Sequence, residues 1–417
     1  MDADRRRARR KRDLVLTSGA VALAVLATAC SSSGGHSTTG ASGSSSAAAA
    51  STTPPVKSPT MKVSGGAGAA SYLNPVQLVV SDGSFASVQT TSSDGQALDG
   101  GVSGDGASWS SEEPPKPGAT YTVNATLKDS DGQTRTATTT FTVAQVPSDQ
   151  RVAFSVTPAD RSTVGIGQPV VVRFLTPVTQ RADVEKVLLV DARTADGKQV
   201  TGSWHWLGNQ EVHWRPQDFW TPGTKVTLDM KIAGVKFADN RFGRKDYSQS
   251  FTIGASHITR YDASTKRLRV YQDGKLVNDF PSGSGKTGLE TYSGTYIVLG
   301  KAQVVKMDSC SARITCDKQS PEYYDEKEYW ATRLTASGTF VHAAGWDPLI
   351  GKANVSHGCI HLSDANAQDF YKNAVVGDVV IVTNTGRGAQ ERIKTQDPGL
   401  IDWNLSWAAW TAGSALH

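Results

Sequence analysis

Short apolar runs separated by polar and turn residues recur along most of this chain, and this spacing predicts β-strands. Between residues 61 and 146 the clearest runs are 76–80, 120–124 and 137–143. They are rich in Val, Thr and aromatic residues, which suit a half-buried pleated surface. Asp-Gly pairs, which favour hairpin turns, stand between such runs, at 82–83, 94–95 and 131–132. We predict a β-sandwich of immunoglobulin type here, without a disulfide between its sheets.

Residues 147–253 continue the pattern and predict a second sandwich of the same type. The runs 152–156 and 170–172 are apolar, and tryptophan is concentrated further on, at Trp204, Trp206, Trp214 and Trp220. Large aromatic side chains most often pack in cores or between domains. We expect that role for these four, with a glycan-binding platform as the alternative, and a structural role for His205 and His213.

A third domain, mixed but mostly β, is predicted for residues 254–385. Residues 267–271 alternate as a strand, Asp273-Gly274 forms a turn, and 275–280 is the return strand. Further on, 365–373 predicts a short helix capped by Ser363 or Asp364, and 379–382 a buried strand. In the last segment, 386–417, residues 402–410 place aromatic side chains at helical spacing.

The first 30 residues differ from everything that follows and predict a targeting segment. Residues 5–12 hold seven basic side chains, and the apolar run 14–29 is shorter than the ~20 residues of a spanning helix. The run ends in Leu-Ala-Thr-Ala before Cys30, with Ser-Ser-Ser-Gly-Gly after it. This resembles a bacterial lipobox, in which Cys30 would receive diacylglycerol. An ordinary signal peptide with an incidental cysteine is the alternative.

Composition and charge complete the picture of an exported protein. Residues 31–60 are almost entirely Ser, Gly, Ala, Thr and Pro, which predicts a disordered tether. The net charge of the chain is +4, and residues 1–29 alone carry seven basic and three acidic side chains, also +4. The remainder is therefore close to neutral, which argues against nucleic-acid binding.

Residues 340–371 hold the candidate chemistry, because three histidines stand close to one cysteine. His342 is followed after an interval by Ser356-His357-Gly358-Cys359-Ile360-His361. A thiol with a pKa of ~8.5 is only a few per cent ionised near neutrality, and imidazole is the base best suited to activate it. A glycine before the cysteine lets a substrate carbonyl approach backbone N–H groups, as an oxyanion hole requires. The stretch predicts a cysteine acyl-transfer enzyme.

Two other interpretations stay open at this point. The four residues His342, His357, Cys359 and His361 could bind zinc, although His-x-Cys-x-His fits the usual spacings poorly. The cysteine could also be buried and inert. Spacing does not choose the base either, because an extended 356–362 would turn His357, Cys359 and His361 to one face.

The same stretch resembles the catalytic motif of the actinobacterial L,D-transpeptidases. The resemblance implies that Cys359 is the nucleophile and His342 the general base, with the backbone carbonyl of Ala343 orienting the imidazole. It places Ser356, His357 and Gly358 in the motif on the oxyanion side, with a structural role as the alternative for His357. His361 stands where the family usually has Arg or Asn, and would contact substrate. Trp214-Arg215-Pro216 and residues 219–224 resemble the family's second immunoglobulin-like domain, and the aromatic end resembles its C-terminal extension.

The remaining cysteines and several cleft residues take roles consistent with this match. Cys310 and Cys316 enclose a short loop in an exported protein, which predicts a disulfide and leaves Cys359 as the free thiol. By the match, that loop belongs to the cover of the active site. The residues that the match would place against substrate are Tyr324, Ser337, Gly338 and Trp346, with packing as the alternative for the aromatics.

The resemblance implies a peptidoglycan enzyme that needs no metal or organic cofactor. Cys359 would attack a tetrapeptide stem and release D-Ala, and an amine of a neighbouring stem would resolve the acyl-enzyme as a 3→3 cross-link. Carbapenems would acylate the same thiol. The expected location is the cell envelope, lipid-anchored to the outer face of the cytoplasmic membrane. An L,D-carboxypeptidase and a non-catalytic wall-binding protein are the alternatives.

Overall fold

The mainly β fold class predicted from the sequence is confirmed by a computed structural model. It describes residues 56–64, 68–394, 397 and 399–417. The predicted targeting segment, Cys30 and most of the predicted tether lie outside these residues. Among the described helices, none combines the length and apolar character needed to span a bilayer.

The first sandwich consists of two sheets with the strand orders β1-β2-β5-β4 and β3-β6-β7. Its first strand begins at Thr60, the last residue predicted for the tether. The Asp-Gly pair at 82–83 lies between β2 and β3, as predicted. The strands are β1 (Thr60–Val63), β2 (Gln77–Ser81), β3 (Ser84–Ser92), β4 (Gly100–Val102), β5 (Ser108–Ser111), β6 (Thr120–Lys128) and β7 (Thr134–Thr142).

The second sandwich pairs the sheets β12-β13-β10-β8 and β11-β14-β17-β9, with a separate β15-β16 hairpin. Its elements are β8 (Phe154–Thr157), β9 (Thr163–Val164), β10 (Val170–Phe174), α1 (Arg181–Lys186), β11 (Leu188–Arg193), β12 (Gly202–Leu207), β13 (Glu211–Pro216), β14 (Lys225–Met230), β15 (Lys236–Ala238), β16 (Arg241–Phe242) and β17 (Tyr247–Ile253). All four tryptophans of this region are buried in its hydrophobic core. They therefore have the packing role that was expected, and the glycan-platform alternative is wrong.

The third domain has a five-stranded sheet, β20-β19-β18-β26-β21, and a four-stranded sheet, β22-β23-β24-β25. The predicted helix is present, and the Ser363 hydroxyl caps it by accepting from the Asn366 N–H. The elements are β18 (His257–Asp262), β19 (Arg267–Gln272), β20 (Lys275–Pro281), β21 (Gly294–Ile297), β22 (Gly300–Asp308), β23 (Asp325–Arg333), β24 (Phe340–Ala343), β25 (Ile360–Leu362), α2 (Asp364–Asn373), β26 (Val379–Thr383), α3 (Gln390–Ile393), α4 (Ile401–Asn404) and α5 (Trp407–Thr411).

The second sandwich and the third domain meet through a close backbone contact. The N–H groups of Gly165 and Gly167 each donate 2.8 Å hydrogen bonds, to the carbonyl oxygens of Val376 and Gly377 respectively. A Cβ on Gly165 would lie 2.2 Å from the Asp378 nitrogen, so any larger residue would push the domains apart. Val379 also belongs to the core of the second sandwich. The junction is therefore packed rather than hinged on a loose linker.

The end of the C-terminal segment packs back onto the second sandwich as two short helices, α4 and α5, because Leu405 and Ser406 interrupt the helical spacing of the aromatics. The Ser406 hydroxyl caps α5. The buried guanidinium of Arg215 lies 4.4 Å from the ring centre of Trp410 and 4.6 Å from that of Trp403. The indole of Trp410 donates to the Ser203 carbonyl at 2.9 Å. These aromatic side chains thus hold the segment against the second sandwich.

A buried ion-pair cluster at this junction should make stability depend on pH. His213 Nδ1 lies 2.6 Å from Asp402 Oδ1, and Nε2 lies 2.7 Å from Glu211 Oε1. Burial opposes the charge, but the two carboxylates outweigh it and raise the pKa of His213 to about 9. A raised pKa contributes stability that is complete below the unfolded value of 6.5 and is lost as the pH rises through about 9. We expect the unfolding free energy to fall by about 3 kcal/mol across this window.

Urea unfolding followed by tryptophan fluorescence at pH 6 and pH 10 would measure this loss. The Asp402→Asn variant is the matched control, because the His213 ring keeps a hydrogen-bond partner at position 402 but loses the negative charge beside it. Its loss of stability between the two pH values should be clearly smaller. An equal loss in both proteins would contradict the prediction.

Candidate active site

Parallel pairing of β24 with β25 brings His342 and Cys359 together. In this register His342 lies opposite His361, and Cys359 directly precedes β25. Both strands are buried along their whole length and pack in the core of the third domain with α2. The chain that connects the two strands therefore brings the Cys359 thiol next to the His342 imidazole, and both are held by buried strands.

The turn that presents Cys359 requires glycine at position 358. The φ of Gly358 is +123°, a conformation that L side chains rarely adopt. A Cβ there would meet no atom nearer than 3.7 Å, so conformation rather than space makes glycine necessary. The Ser356 hydroxyl donates to the Cys359 carbonyl oxygen at 2.6 Å and accepts from the Gly358 N–H at 3.1 Å. Ser356 thus closes the turn around the thiol.

The imidazole of His342 is buried and lies close enough to Cys359 for the two side chains to interact electrostatically. Its Nδ1 lies 2.9 Å from the Ala343 carbonyl oxygen and 3.2 Å from Glu328 Oε2. Neither oxygen can donate, so Nδ1 carries a proton and Nε2 is left for the thiol. Burial disfavours the imidazolium, but Cys359 and Glu328 outweigh it and raise the pKa of His342 to about 10. The arrangement favours the imidazolium form of His342 near neutral pH.

The segment 356–362 is not extended throughout, so the expected alternation does not place His357, Cys359 and His361, although all three line the same cavity. Only residues 360–362 form a strand, and the Gly358 turn breaks the alternation before it. The His357 side chain is half-buried, with Nε2 at 2.7 Å from Glu322 Oε2. Lys286 Nζ lies 2.6 Å from the same carboxylate oxygen. His357 therefore belongs to an ion-pair network at the side of the cleft.

His361 is buried next to His342, and the two rings are 4.9 Å apart. Its Nδ1 lies 3.0 Å from Asp347 Oδ2, and the exposed ring of Trp346 lies 5.4 Å away. Burial, followed by the charge of His342, lowers the pKa of His361 to about 4. The ring is thus neutral near pH 7 and donates to Asp347. The role of His361 in binding substrate stays a prediction.

The zinc interpretation finds no support in these partners. His342, His357 and His361 each bind a different carboxylate. Across the described ranges no group of three or more His, Cys, Asp or Glu side chains is placed to hold a metal ion.

Cys359 and His342 line a cavity of about 670 Å³. The predicted residues Tyr324, Ser337, Gly338 and Trp346 line it as well. The Cys310–Cys316 disulfide is present, and Ala312, Arg313 and Ile314 from its loop form part of the wall. Burial, followed by the charge of Cys359, raises the pKa of Tyr324 to about 12. Its phenol therefore stays protonated and can donate a hydrogen bond.

Ser337 and Gly338 are held by a residue that the sequence did not point to. The Ser337 N–H lies 3.2 Å from Asp397 Oδ1, and its hydroxyl donates to the other oxygen of that carboxylate. Gly338 has a φ of +109°, and its carbonyl oxygen lies 3.7 Å from Cys359 Sγ. The Ser337 hydroxyl is thus already occupied, so a substrate would meet the backbone of this turn first.

Comparison with known proteins agrees with this site. Residues 67–236 match the family model of a bacterial Ig domain, and residues 257–382 match that of the L,D-transpeptidase catalytic domain. The chain is 36% identical to L,D-transpeptidase 2 of Mycobacterium tuberculosis, over 85% of this chain and 84% of that protein. It is 33% identical to L,D-transpeptidase 5 of the same organism, over 82% and 73%.

Among solved structures, L,D-transpeptidase 3 of Mycobacterium tuberculosis in complex with a faropenem-derived adduct is 31% identical. The match covers 56% of the present chain and 98% of the chain in the solved structure, with a TM-score of 0.46. The identity to L,D-transpeptidase 2 extends over most of both proteins, and the catalytic match spans the domain that carries Cys359 and His342. The chain belongs to the L,D-transpeptidase family.

Proposed function

We propose that this peptidoglycan L,D-transpeptidase works through an acyl-enzyme on Cys359 and forms 3→3 cross-links. The single observation that carries the proposal is the buried His342 imidazole, which interacts electrostatically with the free Cys359 thiol at the wall of the cavity that both line. A thiolate paired with an imidazolium is an activated nucleophile with its general acid already in place.

In the first half-reaction the Cys359 thiolate attacks the carbonyl carbon of the L,D bond in a donor tetrapeptide. A carbon–sulfur bond forms, and the carbon–nitrogen bond to D-Ala breaks. The His342 imidazolium gives its Nε2 proton to the departing amine. D-Ala leaves and a thioester remains, with His342 now neutral and ready to act as a base.

The negative oxygen that develops during attack needs donors at the nucleophile. The Gly358 N–H already donates to Ser356, so the Cys359 N–H is the better placed backbone group. The Tyr324 phenol, protonated at neutral pH, is the second candidate. In the second half-reaction an amine of a neighbouring stem attacks the thioester, passes its proton to His342 and releases the thiolate.

A muropeptide assay tests the proposal. Purified protein is incubated with disaccharide tetrapeptides, with and without an acceptor stem, and the products are separated by mass. Release of D-Ala with dimer formation supports transpeptidation. Tripeptide with no dimer at any acceptor concentration would mean an L,D-carboxypeptidase, and unchanged substrate would leave only a wall-binding role.

We also propose that the protein works at the outer face of the cytoplasmic membrane, anchored through lipid on Cys30. The proposal is supported by the basic, apolar and small-residue order of residues 5–30. Cells that express the Cys30→Ser variant should release the protein from the membrane fraction, and an alkyne fatty acid should label only the wild type. Label on the variant would contradict lipidation at Cys30.

A further inference from the structure

Glu328 occupies an unusual position on strand β23. It is only 7% exposed, although the preceding Asp325, Glu326 and Lys327 are exposed and the following Tyr329 is 51% exposed. Its carboxylate is directed into the protein, where Oε2 lies 3.2 Å from His342 Nδ1. A strand whose neighbouring side chains are exposed on both sides of this residue thus buries one acid beside the imidazole.

Burying a carboxylate is costly unless a cation compensates it. Among the residues that the structure describes, the cationic group in an ion pair with Glu328 is His342. The converse also holds, because His342 is itself 3% exposed and would not keep a positive charge without a nearby anion. The acid and the imidazolium therefore stabilise each other at the cleft.

We propose that Glu328 is a positioning residue that extends the Cys359–His342 pair to a Cys–His–Glu triad. It acts through His342, holding the ring in place and favouring the imidazolium over the neutral imidazole. The proposal rests on the acyl-enzyme function proposed above and adds a group to it. The Ala343 carbonyl, at 2.9 Å, accepts the Nδ1 hydrogen bond, so the contribution of Glu328 is chiefly its charge.

The surroundings of His342 make that charge decisive. The titratable groups that face it directly or through one neighbour are Cys359, Glu328, His361, Asp347 and Tyr324. His361 is uncharged above about pH 4, and Tyr324 is uncharged below about pH 12. Asp347 is already engaged by His361. Glu328 is thus the anion available to the imidazolium besides the thiolate.

The test is the pH profile of Cys359 acylation by a carbapenem, measured between pH 5 and pH 11 for four proteins. They are the wild type, Glu328→Gln, Glu328→Asp and the control Asp325→Asn, which removes an exposed acid from the same strand. Acylation needs the imidazolium as proton donor, so the alkaline limb reports its loss. Glu328→Gln should slow acylation roughly 10- to 100-fold, by analogy with carboxylates that orient a metal-ligating histidine. Its alkaline limb should move to lower pH.

The Glu328→Asp variant keeps the charge but is the poorer match in size. It should retain more activity than Glu328→Gln, and Asp325→Asn should behave as the wild type. A Gln variant with an unchanged alkaline limb, or one more active than the Asp variant, would show a packing role and overturn the triad. A wild type that is not acylated would count against the proposed function instead.

A measurement on the unmodified protein covers the case in which a variant does not fold. In nitrogen NMR of the wild type with labelled histidine, both ring nitrogens of His342 should stay protonated above pH 8. Titration of that ring near its ordinary value of 6.5 would overturn the proposal.

Discussion

Replacing Cys359 by alanine should abolish covalent capture of a carbapenem and release of D-Ala. The side chain supplies the atom that forms the acyl bond, and no neighbouring group can replace it. Cys310 and Cys316 are joined in a disulfide, and Cys359 is the free cysteine of the described chain. Intact-mass analysis should show one adduct on the wild type and none on the variant.

The Cys359→Ser variant is the matched control for this experiment. It keeps the size and the hydrogen-bonding capacity of the side chain but has a hydroxyl that ionises far less readily than a thiol. We expect binding of the carbapenem without a stable adduct. A stoichiometric adduct on Cys359→Ala would show that another residue is the nucleophile.

Much of the fold was predictable because local signals agreed with tertiary structure. The Asp273-Gly274 pair has positive φ at both residues and joins β19 to β20, as its turn chemistry predicts. The capped helix at Asp364–Asn373 also follows from its sequence. The Ser-His-Gly-Cys run specifies a local turn, so the arrangement of Ser356, Gly358 and Cys359 could be anticipated from the family it resembles.

The missed residues are those whose role depends on contacts distant in sequence. Glu328 stands in the run Asp-Glu-Lys-Glu, which reads as a solvated strand face, and nothing local distinguishes the one acid that is buried. Asp397 reaches Ser337 across 60 residues. The tail offers aromatics at helical spacing, but Arg215 of the second sandwich contacts Trp403 and Trp410 on either side of a break at Leu405, and no local signal predicts those contacts.

The structure gives the two neighbouring histidines different electrostatic environments although both are buried. His342 faces a thiol and a carboxylate, and its pKa is raised to about 10. His361 donates to Asp347, but burial and the charge of His342 dominate and its pKa falls to about 4. The first is therefore suited to hold and transfer a proton near neutrality. The second stays neutral there and suits hydrogen bonding or packing.

Replacing His342 by alanine should lower the acylation rate on the order of 10²- to 10⁴-fold, the usual worth of a general acid–base group. The variant loses both the group that activates the thiol and the proton donor for the leaving amine. Stopped-flow acylation by a carbapenem at saturating concentration would measure the loss. The residual rate should rise steeply with pH, because without the imidazolium the thiol must ionise by itself.

The His361→Ala variant is the matched control, since it removes a buried imidazole 4.9 Å away. Its acylation rate at saturating carbapenem should stay within roughly tenfold of the wild-type rate, because only the loss of a general acid–base group is expected to cost more than this. The carbapenem concentration that gives half of this rate should rise, because His361 is predicted to contact the substrate. Its pH profile between 5 and 9 should keep the wild-type shape, because His361 carries no charge in that range. A nearly inactive His361→Ala beside an active His342→Ala would exchange the roles of the two residues and make His361 the base.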